Sequence, residues 1–269
     1  MDKKITIISV NYNTSDFIDL MLYAFESLTY YSYEVIICDN GSKEEELIKL
    51  INYIKQYKDN DIKLIVREQS QAGSIGHAEA LDLLVSKVTT PYFVTMEAYT
   101  TVVQKHWDKI LIDNLVNNNA KGIGTPVVAN KIKKSDFPLI FCAMYETKTI
   151  NDLKCSFMPN NISNGEDPGY DLKEKFLKNN INSILFEVKN TRYDEDIYFS
   201  KVLCATYYFN NSIICSHFGR GSSGGGAKYK KWYYWHIPIL SKYIRNKKYI
   251  NEKKLWINIS KNIIDKEIN

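Results

Sequence analysis

The feature that most restricts the fold is a regular alternation over the first 125 residues between β-branched apolar runs and segments with apolar residues at helical spacing. Ile5 to Val10 is a continuous strand-type run, and Phe17, Leu20, Met21, Tyr23, Ala24 and Leu28 then follow a helical period. Val35 to Cys38 repeats the strand signal before Leu47, Ile48, Leu50, Ile51 and Ile54, and Ile62 to Val66 gives a third strand. Ala80, Leu81, Leu83, Leu84 and Val88 mark a third helix, Tyr92 to Met96 a fourth strand, His106 to Val116 a helix, and Gly122 to Gly124 a short strand. Strands that alternate with helices of ordinary length form a mostly parallel sheet with helices on both faces, so the class is α/β. After Pro126 the alternation breaks down. Leu139 to Tyr145 and Ser183 to Val188 read as strands and Leu172 to Leu177 as a helix, within an irregular second half.

At 269 residues, 45% hydrophobic and 25% charged, the chain is long enough for one large globular domain. Lysine and arginine exceed aspartate and glutamate only 35 to 31, which excludes a dedicated nucleic-acid binder. The basic surplus lies between Arg220 and Lys254, at a place suited to phosphate or an anionic surface. Five scattered cysteines without C-x-x-C spacing read as reduced core residues. The first residues enter a strand pattern directly, and no run of about 18 uncharged apolar residues occurs, so a cytoplasmic protein is expected. Lys230 to His236 interleaves bases with Trp and Tyr, which suits peripheral contact with the inner face of a membrane, or a terminal helix packed on the core.

A dinucleotide fold needs glycines directly after strand one; here the turn is Asn11-Tyr12-Asn13-Thr14, and no P-loop motif is present. The same missing loop argues against a nucleotidyltransferase. Four segments remain in order: Ile5 to Asn13, Glu34 to Ser42, Gly73 to Leu81 and Tyr92 to Tyr99. Together they resemble the donor half of family 2 glycosyltransferases with the GT-A fold. The resemblance implies a nucleotide-sugar donor, inversion at the anomeric carbon, and a divalent cation, Mn²⁺ or Mg²⁺. It divides the chain into a donor half at 1–125, an acceptor and catalytic half at 126–228, and a basic, aromatic segment at 229–269. It also implies that Val10, Asn11, Tyr12 and Asp39 hold base and ribose. Read without the resemblance, Asp39-Asn40-Gly41-Ser42 is equally a plain turn with Ser42 capping a helix. Gly73 and His77 match the segment that runs along the donor's phosphates, and His77 alternatively is an ordinary first-turn histidine.

Where the family carries Asp-x-Asp after strand four, this chain has Glu97-Ala98-Tyr99. Glu97 and Tyr99, just past the strand, are expected at the mouth of the donor site; Glu97 keeps a carboxylate, but a neutral phenol is a poor ligand for a hard cation. Three outcomes follow: a cation held by Glu97 with another ligand, cation-free transfer assisted by lysine and arginine, or lost catalysis in a nucleotide- or glycan-binding protein. His217, at a strand end before a Gly/Ser-rich stretch, resembles the family residue that meets metal or diphosphate. Arg220, Lys228, Lys230 and Lys231 are expected to stabilise the departing diphosphate, with Gly224 to Gly226 letting that segment close. Inverting transfer needs a carboxylate base. Two pairs compete, Glu166-Asp167 and Glu195-Asp196, and Asp167 is preferred because a helix and a strand follow it as in the family. The acceptor class stays open among surface polysaccharide, glycolipid and protein glycan.

Overall fold

The computed structural model describes residues 4–57, 60–71, 73–126, 136–159, 168–219, 228–229 and 238–269. The first half follows the expected alternation: β1 (Ile5–Asn11), α1 (Ser15–Leu28), β2 (Tyr33–Asn40), α2 (Glu44–Ile54), β3 (Asp61–Arg67), α3 (Ser74–Val85) and β4 (Tyr92–Met96). It continues with β5 (Thr100–Val102), α4 (Trp107–Asn117) and β6 (Gly122–Gly124). The second half supplies β7 (Cys142–Glu146), α5 (Thr147–Asp152), α6 (Tyr170–Lys178), β8 (Ser183–Leu185), β9 (Glu187–Asn190), β10 (Ala205–Phe209), β11 (Ser212–His217) and α7 (Pro238–Ile268).

These strands form two sheets. The larger runs β3-β2-β1-β4-β7-β6-β8, parallel through its first four strands and antiparallel on both sides of β7. The central strands carry side chains buried on both faces, which is why β1, β2 and β4 read as unbroken apolar runs rather than alternating ones. Phe17, Leu20, Met21 and Phe25 of α1 pack one face, while Ala78, Ala80, Leu81 and Leu84 of α3 pack the other. Gly124 permits the β6–β7 contact, since a Cβ there would stand 2.4 Å from the Cys142 carbonyl oxygen.

The smaller sheet, β5-β11-β10-β9, is antiparallel and was not legible in the sequence. It draws β5 from the first half and the other strands from the second, so both sheets join elements from either side of residue 125. Ser183 to Val188, expected as one strand, divides at Phe186 into β8 in the large sheet and β9 in the small one. The expected strand at Leu139 to Tyr145 begins later, at Cys142. The described cysteines are all free, four of them buried, as reduced core residues. At the carboxyl end α7 lies against α1, burying Trp256, Ile263 and Ile264. Among the described residues no helix is long and apolar enough to cross a membrane.

Candidate active site

The carboxyl ends of the parallel strands converge as open α/β sheets require, because the strand-to-helix turns there present side chains and free N–H groups beyond the sheet. Asn11 and Asp39 stand side by side in the β1–β2 register and are both buried. Asn11 Nδ2 donates to Asp39 Oδ2 at 2.7 Å and to Ser42 Oγ at 3.1 Å, and Ser42 N–H donates to Asp39 Oδ1 at 3.1 Å. The backbone N–H of Asn13, a residue with φ of 55°, donates to Ser42 Oγ at 2.8 Å. Ser42 is therefore a brace to β1; the helix-cap position of α2 is Lys43, with no side-chain cap. Val10 is half-buried at the strand end, whereas Tyr12 is 38% exposed in the turn. The rim is thus a rigid polar floor with one aromatic ring in solvent.

The β2 end is also tied to the third helix. Asn40 Nδ2 donates to the Gly76 carbonyl at 3.0 Å, and a Cβ on Gly76 would meet the Gln71 carbonyl oxygen at 2.0 Å, so the Gln71 backbone lies this close to α3 only because residue 76 is glycine. Gly73 precedes α3 with φ of 82° and is exposed, and His77 follows in the first turn. Burial holds the His77 imidazole below its ordinary pKa, with the Glu97 carboxylate pulling the other way.

Glu97 leaves the end of β4 with its N–H on the Phe141 carbonyl at 3.0 Å, and is 8% exposed. Its Oε2 lies 3.0 Å from His217 Nε2, a contact that spans 120 residues of sequence. β5 creates this meeting. It pairs Thr100 with His217, and the Phe218 N–H donates to the Tyr99 carbonyl at 2.9 Å, so the smaller sheet delivers the histidine to the end of the larger one. The His217 ring is stacked on Phe141 at 4.3 Å and 14°, and Tyr99 lies beside it at 5.2 Å with its other side against Phe17 at 6.2 Å. Tyr99 serves as packing for the histidine. Phe141 was missed in the sequence, where nothing links position 141 to position 217.

The Glu97 oxygen and the His217 nitrogen form a donor pair that fits a divalent cation, because Mg²⁺ and related ions accept few protein ligands and complete their shell with phosphate oxygens and water. Among the described residues no group of three or more His, Cys, Asp or Glu gathers to hold a metal.

Of the competing carboxylates, Asp196 is 5% exposed and accepts four hydrogen bonds: from the N–H groups of Tyr198 and Phe199, from Thr206 Oγ1 at 2.7 Å and from the Tyr208 hydroxyl at 2.7 Å. Burial raises its pKa, but these four donors outweigh burial and hold it below the usual value. Thr206 and Tyr207 alternate along β10, and it is Tyr207 whose phenol, already raised by burial, feels the Glu97 charge; Asp196 thus belongs to the opposite face. Its acceptor capacity is filled by the protein. Glu195 is exposed. Glu166, Asp167 and Arg220 lie outside the described residues, as do Lys230, Lys231 and the aromatic run to His236. The Gly169 N–H donates to the Phe157 carbonyl at 3.0 Å, and Asp82 of α3 accepts the Phe157 N–H at 2.6 Å. α6 begins at Tyr170 and leads into β8, the helix and strand expected in this part of the chain.

Lys228 departs from its expected role. Its Nζ donates to the Phe218 carbonyl at 2.8 Å, lies 3.3 Å from the Phe218 ring centre and 3.7 Å from Glu252 of α7, and the side chain is 7% exposed. Burial lowers its pKa to about 8, although Glu252 opposes the shift. The ammonium is committed to bracing β11 against α7.

Residues 6–163 match the family described as Glycosyl transferase family 2, which is more than half of the chain. Over 95 residues the chain is 30% identical to the teichoic acid poly(glycerol phosphate) polymerase of Staphylococcus epidermidis, a match that covers 35% of this chain and 12% of that protein. Among solved structures it is similar to the mannosyltransferase PcManGT from Pyrobaculum calidifontis, in complex with GDP-Man and Mn²⁺, with TM-score 0.55 and 15% identity over 69% of this chain and 55% of that one. S. aureus TarS 1-349 gives TM-score 0.45 and 12% identity over 58% and 50%. The chain thus spans about half the length of the solved relatives and a small part of the polymerase. With the strand order, the Asn11–Asp39 floor and the Glu97–His217 pair in place, the sequence match is decisive: the chain belongs to glycosyl transferase family 2.

Proposed function

We propose that the chain is an inverting glycosyltransferase that moves a sugar from a nucleotide-sugar donor to an acceptor hydroxyl on a surface polysaccharide, glycolipid or protein glycan. The observation that carries this reading is the Glu97–His217 pair at 3.0 Å beside the Asn11–Asp39–Ser42 floor. On this reading the end of β4 handles the diphosphate, and the ends of β1 and β2 handle base and ribose. Tyr12 offers an exposed ring for a nucleobase to stack on. Asp39, neighbouring Val10 and Asn11 shape the floor beneath base and ribose, while Gly73 and His77 face the phosphates at the start of α3.

Glu97 and His217 would hold a Mn²⁺ or Mg²⁺ ion, which when bound neutralises charge that develops on the diphosphate. Asp167 is assigned as the base, with Glu166 beside it, because Asp196 spends its carboxylate on the Tyr198 and Phe199 N–H groups and on Thr206 and Tyr208 of β10. Asp167 takes the proton of the acceptor hydroxyl as that oxygen bonds to the anomeric carbon. The bond from that carbon to the diphosphate oxygen breaks with its electron pair on the leaving nucleoside diphosphate, and configuration inverts. Arg220 lies in sequence next to this end of the site and supplies positive charge for the leaving group.

The test is a thermal-shift screen of UDP-, GDP-, dTDP- and CMP-sugars with and without Mn²⁺, followed by turnover. A donor at a hundred times its Kd stabilises by about 2.7 kcal/mol. Glu97→Gln and His217→Phe should each remove the Mn²⁺-dependent part of the shift, whereas Asp167→Asn should keep the shift and lower turnover by about 10²- to 10⁴-fold. The packing role of Tyr99 favours one rival, a non-catalytic donor-binding protein. Retained binding with no hydrolysis or transfer from any of these donors would establish that rival.

A further inference from the structure

We propose that the outward face of α7 docks on an anionic lipid bilayer, a property that does not depend on which donor the site takes. Between Pro238 and Ile264 the chain has seven lysines and arginines and a single acid, Glu252. That acid is turned inward, accepting the Tyr229 hydroxyl at 2.6 Å with Lys228 at 3.7 Å, and its other oxygen lies 3.9 Å from Lys248, so the charge it offsets is that of Lys228 and Lys248. Lys242, Lys247 and Lys254 are exposed. The inward face is satisfied by protein: Trp256 is buried with its Nε1–H on Ser216 Oγ at 2.9 Å, and Lys253 pairs with Asp16 of α1.

A helix docked by one face normally keeps its opposite face polar. Here the opposite face is partly apolar. Tyr243 is 65% exposed, Ile250 50%, Ile244 38% and Leu255 37%. Tyr243, Lys247, Ile250 and Lys254 recur at spacings of four, three and four residues, which places them along one line of the helix. Aromatic and aliphatic groups interleaved with lysines, and no acid on that line between Tyr243 and Lys254, suit the headgroup boundary of an anionic membrane, where the apolar groups enter the acyl edge and the ammonium groups stay with phosphate. A soluble polyanion would use the lysines and leave Tyr243 and Ile250 in water. A second copy would set lysine against lysine. The charge pattern therefore selects the bilayer.

The experiment is co-sedimentation of the full chain with phosphatidylcholine vesicles containing or lacking phosphatidylglycerol. Binding is expected only with phosphatidylglycerol and should weaken as salt rises. Each lysine near such a surface contributes roughly fivefold in partitioning, so Lys247→Glu with Lys254→Glu should weaken binding by about 25-fold or more. Tyr243→Ser with Ile250→Ser should also weaken it, while Lys87→Glu with Lys178→Glu, on exposed positions elsewhere, should leave it near the wild-type value. All these positions are exposed, and far-ultraviolet circular dichroism checks that each variant is folded. Failure to bind anionic vesicles, or binding that α7 variants do not change, overturns the proposal. So does loss with the lysine pair but not with the Tyr243 and Ile250 pair, which would mark a polyanion site, or a dimer in sedimentation that the Ile250 change dissolves.

Discussion

Replacing Asp39 by asparagine tests the floor of the site through its hydrogen-bond polarity. Asn11 Oδ1 accepts from Thr14 Oγ1 at 2.8 Å, which fixes the Asn11 amide so that its Nδ2 must donate towards Asp39. The other Asp39 oxygen takes the Ser42 N–H. An asparagine has one oxygen and one NH₂ group, so in either orientation its NH₂ confronts a donor, Asn11 Nδ2 or the Ser42 N–H. The position is 1% exposed, so water does not relieve the conflict. Loss of one hydrogen bond to a charged acceptor costs about 1.5–3 kcal/mol, and the opposed donors add to it. The total is about 2–4 kcal/mol, or a fall in Tm of roughly 4–12 °C for a chain of this size. Differential scanning calorimetry of Asp39→Asn beside Glu45→Gln, on the exposed side of α2, measures this. Nucleotide affinity should fall in parallel, since Tyr12 and Asn13 are positioned by the same network. A Tm within about 1 °C of wild type, where the energetics require at least about 4 °C, would refute the argument that Asp39 organises the β1 and β2 ends.

Two further changes probe other parts of the argument. Gly124→Ala sets a methyl group 2.4 Å from the Cys142 carbonyl oxygen and 2.6 Å from Ala143 Cα, both backbone atoms; β6 must shift from β7, at a cost of about 2–3 kcal/mol by chemical denaturation. Lys228, with its pKa lowered to about 8 by burial, binds fewer protons when folded than when unfolded between about pH 8 and the ordinary lysine value near 10.4, so stability should rise with pH in that window. Up to about 3 kcal/mol is at stake, and Lys228→Met should flatten the slope between about pH 8 and 9.5, below the range where the buried tyrosines titrate. Urea melts across that range check it; an unchanged slope would assign the effect to another group.

The parallel half of the fold was legible because each of its strands is buried on both faces and each crossover helix shows one apolar stripe, so local pattern and tertiary role coincide. The same logic placed Asp39 and Glu97, since a polar residue that follows a buried parallel run must stand at the sheet's carboxyl edge, whereas Asn11 came from the family resemblance. The pairing of the second half was hidden. β5, β9, β10 and β11 are short strands from distant segments, and no local signal says that residues 100–102 pair with 215–217. Nor does composition reveal that Asp196 is surrounded by four donors, or that Lys228 is buried under Glu252, because both facts arise from elements that meet only in three dimensions.

By itself the sequence determined the α/β alternation, the absence of a phosphate-binding glycine turn after β1, and the chemical oddity of Glu97-Ala98-Tyr99, all of which depend on the order of residue types along the chain. Only the tertiary structure decided that His217 completes Glu97 and that Tyr99 and Phe141 serve as its packing. The physical reason is that a hydrogen bond across 120 residues is set by the registers of two sheets, and register is a property of paired strands rather than of any one of them.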